Sequence, residues 1–269
     1  MEYMTIQDKQ MASLDALLNF DKYSSNNNIR YFLAYGSLIG AVRHKGFIPW
    51  DDDVDVHIPR PDYEKILSEY QDPTGNFKLV SCFNTKDYFL PYAKIQNMNT
   101  ARVLEGGVLD HHGIGIDLFP LDGISGDLAK AERNFLKQNN TWLKVANRLD
   151  MFRMLQASSF KEHIKYLLGC AAYRSGYLSR ESKKLSKSPL KYGYEDSEKV
   201  GTLVGIHSGR FRPFEKEWFA PCKLEFEGYS LSAPSGFHEI LTMIYGNYME
   251  LPPEEKRVTT HTDKFVWIK

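Results

Sequence analysis

Residues 5–23 carry Ile6, Met11, Leu14, Leu17, Leu18 and Phe20 at helical spacing, which predicts an opening helix. The polar run SSNNN (24–28) is expected to break it. IRYFLAY (29–35) is rich in β-formers and reads as a strand, and GSLIGAVRH (36–44) as a turn entering a short helix. After a loop at 45–50, DVDVHI (53–58) alternates strictly, with Val54, Val56 and Ile58 on one face and Asp53, Asp55 and His57 on the other. Pro59 and Pro61 end that strand, and PDYEKILSEY (61–70) starts a helix with Pro61 at its first position. FKLVSCF (77–83) and YAKIQN (92–97) are short strand candidates. GIGIDLFPLDG (113–123) is a further strand, whose Ile114, Ile116 and Leu118 share one face and leave Asp117 on the other. From 126 to 195 the pattern is helical, with basic stretches at 179–191. A hairpin at 223–234, a last helix at 236–246 and a Pro-rich tail follow.

This order predicts an α/β (α+β) fold in which a mixed sheet is flanked by helices. Residues 1–125 and 200–269 are expected to form its core, and 126–199 an additional helical region. Composition adds little: 42% apolar and 25% charged residues describe an ordinary globular chain. Thirty-four basic residues balance 34 acidic ones, so no global field favours nucleic acid. Cys82, Cys170 and Cys222 are scattered, without a CxxC pair, which argues against structural zinc and suits a reducing compartment. MEYMTIQDKQ has neither the basic nor the apolar region of a signal peptide, and YLLGCAAY (166–173) is too short to span a bilayer. A cytoplasmic protein is expected.

The chemistry lies in the acids. Asp53 and Asp55 are two apart on one strand, so their Cβ atoms sit about 6–7 Å apart on the same face. Such a pair can grip one or two hard cations, and Mg²⁺ needs only one or two protein carboxylates beside water and phosphate oxygens. Asp117 is the natural third, completing a two-metal clamp for phosphoryl transfer. The competing reading is a solvated sheet face; for Asp51 and Asp52, which precede the strand, that is the reading taken. For Asp53 and Asp55 the metal reading is preferred, because Asp is depleted in strands and here comes twice between β-branched residues. Gly36 and Ser37, between a strand and a helix, can hold a phosphate with exposed N–H groups and a hydroxyl. Arg43, His44 and Lys45 either offset an anionic substrate or form a solvated helix end.

A Gly-Ser turn, Asp-x-Asp on the next strand and a third acidic strand residue together match the nucleotidyltransferase superfamily pattern. The run YGSLIGAVRHKGFIPWDDDVDVHIPRPDYE (35–64) resembles the LicD family of phosphocholine transferases and, more distantly, the fukutin-type transferases of sugar-alcohol phosphates. IDLFPLDG (116–123) is similar to the family's second block. FHEILTMIYGNYMELPP (237–253), with Arg257 and His261, is similar to its third. The resemblance implies a nucleotidyltransferase-like fold with Mg²⁺, or Mn²⁺, held by Asp53, Asp55 and Asp117. It implies transfer of phosphocholine from CDP-choline to a sugar hydroxyl of a cell-surface glycan precursor, of teichoic acid or lipopolysaccharide type, with release of CMP. Asp117 is the expected general base, with Asp52 or no protein group as alternatives. Transfer of ribitol phosphate, transfer of a nucleotidyl group and an inactive glycan-binding scaffold remain open. His57 departs from the family, which often has an apolar or small residue there, and is expected to face solvent.

A quaternary ammonium is held by aromatic faces. Trp50, Tyr88, Tyr92 and Phe119 are candidates, each with plain packing as its alternative. Lys94 and Arg102 are phosphate candidates or simple surface charges. LEGGVLDHHGIG (104–115) is a mobile lid or a long hairpin turn. Its Asp110, His111 and His112 do not make a transition-metal site, because neighbours on a strand point to opposite faces. Residues 160–187 join an apolar stretch to a basic end. An ordinary core helix is preferred there over docking on an anionic membrane that carries a lipid-linked acceptor.

Overall fold

The computed structural model describes residues 2–86, 88–104, 109–110, 112–153, 159–204, 210–259 and 263–268, with backbone alone at 110, 148–153 and 190. In chain order the elements are α1 (Ile6–Asn27), β1 (Phe32–Leu33), α2 (Tyr35–Ile39), β2 (Val54–Pro59), α3 (Arg60–Glu69), β3 (Phe77–Val80), β4 (Ala93–Asn97), β5 (Thr100–Val103), β6 (Leu109–Asp110), β7 (Gly115–Gly123), α4 (Leu128–Arg153), α5 (Phe160–Arg174), α6 (Tyr177–Lys187), β8 (Lys199–Gly201), β9 (Phe214–Glu215), β10 (Pro221–Phe226), β11 (Tyr229–Pro234), α7 (Phe237–Tyr245) and β12 (Lys264–Trp267). The fold is mixed α/β. Two units are distinguished, one of residues 1–79, 94–121 and 214–269, the other of 80–93 and 122–213.

In the first unit, Thr5 and Asp8 cap α1 reciprocally: the Thr5 hydroxyl accepts the Asp8 N–H at 3.1 Å and the Asp8 carboxylate accepts the Thr5 N–H at 2.8 Å. The polar run at 24–28 does not break this helix. It supplies the last turn, which buries Ser24 and stops at Asn28 with φ 54, a conformation asparagine tolerates. The strand expected over 29–35 is only two residues long, because the chain already turns into α2 at Tyr35. The central sheet runs in the order β1-β2-β7-β4-β3. β1 pairs antiparallel with β2, and β2 pairs parallel with β7. Val54, Val56, Ile58, Ile116 and Leu118 are fully buried, as their alternation predicts.

A three-stranded sheet, β12-β5-β6, recruits part of the expected Pro-rich tail. The expected hairpin is β10–β11, turning through Glu227 and Gly228, both at positive φ, which matches the twist of the two strands.

The second unit packs α4, α5 and α6 together around Phe89, Trp142, Val145, Ala172, Leu178 and Leu185. There Asp122 and Gly123 of β7 pair antiparallel with β8. α5 corrects the expectation of a core helix. Its Gly169 and Ala172 are buried and Tyr173 packs against the Phe89 cluster, whereas Phe160, Ile164, Tyr166, Leu167 and Leu168 are exposed. Among the described residues, no helix is long and apolar enough to cross a membrane.

Candidate active site

Asp55 and Asp117 are direct partners in the parallel β2–β7 register. Adjacent strands lie about 4.8 Å apart, so the two carboxylates leave the sheet side by side. The start of α2, from its N-cap Ala34 to Ser37, locks Asp55 from both sides of its peptide unit. The Asp55 N–H donates to the Ser37 hydroxyl at 2.9 Å, and the Asp55 carbonyl accepts the Ala34 N–H at 3.0 Å. Gly36 leaves room for the Asp51 carboxylate, whose Oδ2 occupies the space that a Cβ would need.

These acids crowd one another. Burial pushes the Asp55 carboxyl well above the usual carboxylate range, and the charges of Asp53, Asp117 and Asp51 push it further, while the Lys94 charge opposes them. Lys94 stands on β4, beside β7, with its ammonium 3.1 Å from the Asp117 carboxylate. Burial works against its charge, but Asp117, then Asp53 and Asp55, outweigh that and hold it above the ordinary lysine range. Asp53, Asp117 and Lys94 line a cavity of about 350 Å³, together with Lys9, Ser13, Asp52, Ile114, Gly115, Asp263 and Phe265.

The donor set suits a hard divalent cation, being all carboxylate oxygen and short of positive charge. Among the described residues no group of three carboxylates, imidazoles or thiolates stands arranged to hold a metal ion. Mg²⁺ does not require one, since water and phosphate oxygens complete its shell.

The family described as LicD/FKTN/FKRP, nucleotidyltransferase domain, matches residues 28–154, which contain Gly36, Ser37, Asp53, Asp55 and Asp117. Along nearly its whole length the chain is 28% identical, over 279 aligned positions covering 97% of each protein, to the lipopolysaccharide cholinephosphotransferase LicD of Haemophilus influenzae. Residues 28–154 thus match the LicD-type nucleotidyltransferase domain. Shorter likenesses link it to uncharacterized proteins of Rickettsia typhi, 39% identical over 24% of this chain and 23% of that protein, and of Rickettsia prowazekii, 34% identical over 26% and 32%.

Within this LicD-like chain the structure brings Asp53, Asp55, Asp117, Lys94 and Asp52 together and places other candidates elsewhere. Asp52 corrects the solvated reading: it is buried and its carboxylate meets the Lys9 ammonium at 2.8 Å. Arg43 is turned to the C-terminal segment, donating to the carbonyls of Tyr248 at 2.6 Å and Glu250 at 3.3 Å. His44 lies edge-on to Trp50, and the Arg257 guanidinium stands 5.9 Å from the centre of the Trp50 ring. Burial, then the Arg43 charge, lowers the His44 pKa. Lys45 is exposed, with its carbonyl bonded to the Glu227 N–H. Arg102 pairs with Asp263 at the cavity's edge, at 3.4 Å. Phe119 is buried edge-to-face against Tyr35. Tyr88 and Tyr92 belong to the second unit and are buried.

His57 corrects the expectation of solvent. It is buried among Tyr35, Phe214 and Phe219, because the far half of this strand face is covered by aromatic side chains. Burial drives its pKa down to about 3. His111, His261, the Asp110 side chain and residues 105–108 of the expected lid lie outside the described residues.

Sequence reading passed over Lys9, Ser13 and Phe265. The signal was present for two of them: Lys9 and Ser13 interrupt the buried series Ala12, Ala16, Leu17 and Phe20 on α1, where only a partnered polar group is tolerated. Phe265 sits in a short strand behind a Pro-rich stretch and gave no periodicity to read.

Proposed function

We propose that the chain transfers phosphocholine from CDP-choline to a sugar hydroxyl of a lipopolysaccharide-type glycan and releases CMP, with Mg²⁺ held by Asp53, Asp55 and Asp117. The observation that carries this reading is the Asp55–Asp117 register pair beside Asp53, in a chain similar over its full length to a lipopolysaccharide cholinephosphotransferase. When bound, Mg²⁺ supplies positive charge to the phosphate oxygens and to the departing CMP.

The chain's own residues do the rest. The acceptor oxygen forms a bond to the phosphocholine phosphorus as the bond from phosphorus to CMP breaks, and the hydroxyl proton passes to a carboxylate. Asp117 is assigned that role on its contact with Lys94, whose ammonium lies 3.1 Å from its carboxylate. The ammonium can release Asp117 and take up a phosphate oxygen as the substrate's charge arrives. Asp55, held by Ser37 and Ala34, keeps the cluster in place. Lys9 neutralises Asp52 and leaves that acid as a wall of the cavity.

The test is incubation of the protein and Mg²⁺ with lipopolysaccharide and, in separate reactions, CDP-choline, CDP-ribitol or CTP. Choline on the glycan with equimolar CMP, from CDP-choline alone, is the expected result. Transfer from CDP-ribitol, or pyrophosphate from CTP, would replace the proposed donor. No product from any donor, with no Mg²⁺-linked rise in melting temperature, would point to an inactive scaffold.

A further inference from the structure

The packing of α5 is inverted relative to an ordinary surface helix. Phe160, Ile164, Leu167, Leu168 and Ala171 recur at the spacing of one helical stripe, and all five are exposed. Phe160 is 81% exposed and Leu167 64%. The opposite side, where a core is gripped, carries Gly169, Ala172 and a single large residue, Tyr173, edge-on to Phe89. The helix is well started, since Ser159 and Glu162 form a reciprocal cap, so its register is set locally.

α6 presents the complementary chemistry. It buries Leu178, Ser182, Leu185 and Ser186, and turns Arg180, Lys183, Lys184 and Lys187 outward. These four line a surface hollow of about 700 Å³ with Phe83, whose ring lies 5.3 Å from the Lys187 ammonium. A second hollow, of about 470 Å³, joins Lys183 to Arg174 at the end of α5, so the basic ridge meets the helix that bears the apolar stripe. From 159 to 191 the chain has eight lysines and arginines against two glutamates, although the whole chain is neutral.

We propose that α5 and α6 dock this unit on an anionic lipid surface, with the α5 stripe entering the headgroup boundary and the α6 ridge holding acidic headgroups. Charge decides the occupant. A second copy of the chain would bring the same basic surface against this one, and like charges at close range oppose that pairing. An anionic bilayer offers apolar depth and negative charge together. The proposal does not depend on the transferase reading, and its test does not measure activity.

The experiment is co-sedimentation of the full-length protein with vesicles of phosphatidylcholine alone or with about a third phosphatidylglycerol, at low and high salt. Binding to the anionic vesicles only, weakened by salt, is expected. The pair Ile164→Asn with Leu167→Asn, and separately Lys183→Glu with Lys187→Glu, should each lower partitioning at least about tenfold. All four positions are exposed, so circular dichroism and melting temperature should match the wild type, and the charge pair stands as an independent arm if the apolar pair fails to fold. Wild-type protein that ignores both vesicle types at low salt overturns the proposal and leaves the surface to an acidic protein. Binding that both pairs leave unchanged overturns it too. So does a dimer, seen by analytical ultracentrifugation, that the apolar pair dissolves.

Discussion

The Lys9 ammonium lies 2.8 Å from the Asp52 carboxylate, with only 11% and 5% of the two side chains exposed. It ties the first helix to the loop that delivers the acidic strand. Removing one partner strands the other's charge out of water, which costs about 3–5 kcal/mol, whereas removing both restores most of the loss. Lys9→Met is therefore expected to lower the unfolding free energy by that amount, and Lys9→Met with Asp52→Leu to recover more than half. Urea titrations measure both; equal loss in the single and double variants would remove the pair from the stability of the fold.

Ser37 is expected to act through Asp55. Ser37→Ala deprives the Asp55 N–H of its acceptor, at a cost of about 1–3 kcal/mol. The same change frees the carboxylate that must stay aligned with Asp117, so kcat should fall about tenfold with little change in KM for CDP-choline. Faster hydrogen exchange at the Asp55 amide in the variant would tie the two effects to one bond. Unchanged exchange would break the link.

The crowded carboxylates predict opposite effects of one substitution with and without metal. Asp55→Asn removes a charge that Asp53, Asp117 and Asp51 repel, so in EDTA the variant should melt above the wild type. Millimolar Mg²⁺ should raise the wild-type melting temperature, corresponding to about 2.7 kcal/mol at a hundredfold excess over Kd, and leave the variant unmoved. Calorimetry with and without Mg²⁺ reads both. An equal rise in the two proteins would place the ion away from Asp55.

His57 predicts an acid-side loss of stability. Its pKa drops from 6.5 in the unfolded chain to about 3 in the fold, because burial disfavours the imidazolium. Between those values the unfolded state holds the extra proton, so stability is complete above pH 6.5 and falls as pH decreases, by roughly 2 kcal/mol at pH 5. The buried Nε2 takes no hydrogen bond among the described residues. His57→Phe is thus expected to be neutral or stabilising at pH 7 and to flatten the slope between pH 7 and 5. A slope identical to the wild type, in urea titrations at both pH values, would assign the acid sensitivity elsewhere.

Much of this was legible from local pattern. The alternation of Val54, Val56 and Ile58 against Asp53 and Asp55 marked both the strand and its acids, because a side chain's face follows from parity alone. Ile116 and Leu118 around Asp117 did the same for the partner strand. His57 obeyed that parity yet met aromatic rings instead of water, since parity names a face and not what covers it. Arg43 looked ready for a phosphate by its nearness to the acids in sequence. Its partners, the carbonyls of Tyr248 and Glu250, lie some two hundred residues away and leave no local trace.

The sequence by itself determined which residues share a face, that Gly36 and Ser37 stand just after the first strand and which blocks resemble the LicD family, because backbone geometry and motif spacing are short-range properties. Only the tertiary structure decided that Asp55 and Asp117 stand in register, that Lys94 and Lys9 supply the counter-charges, and that α5 turns its large apolar residues outward. Strand order and helix orientation depend on which surfaces the whole chain can bury at once, and no local segment carries that information.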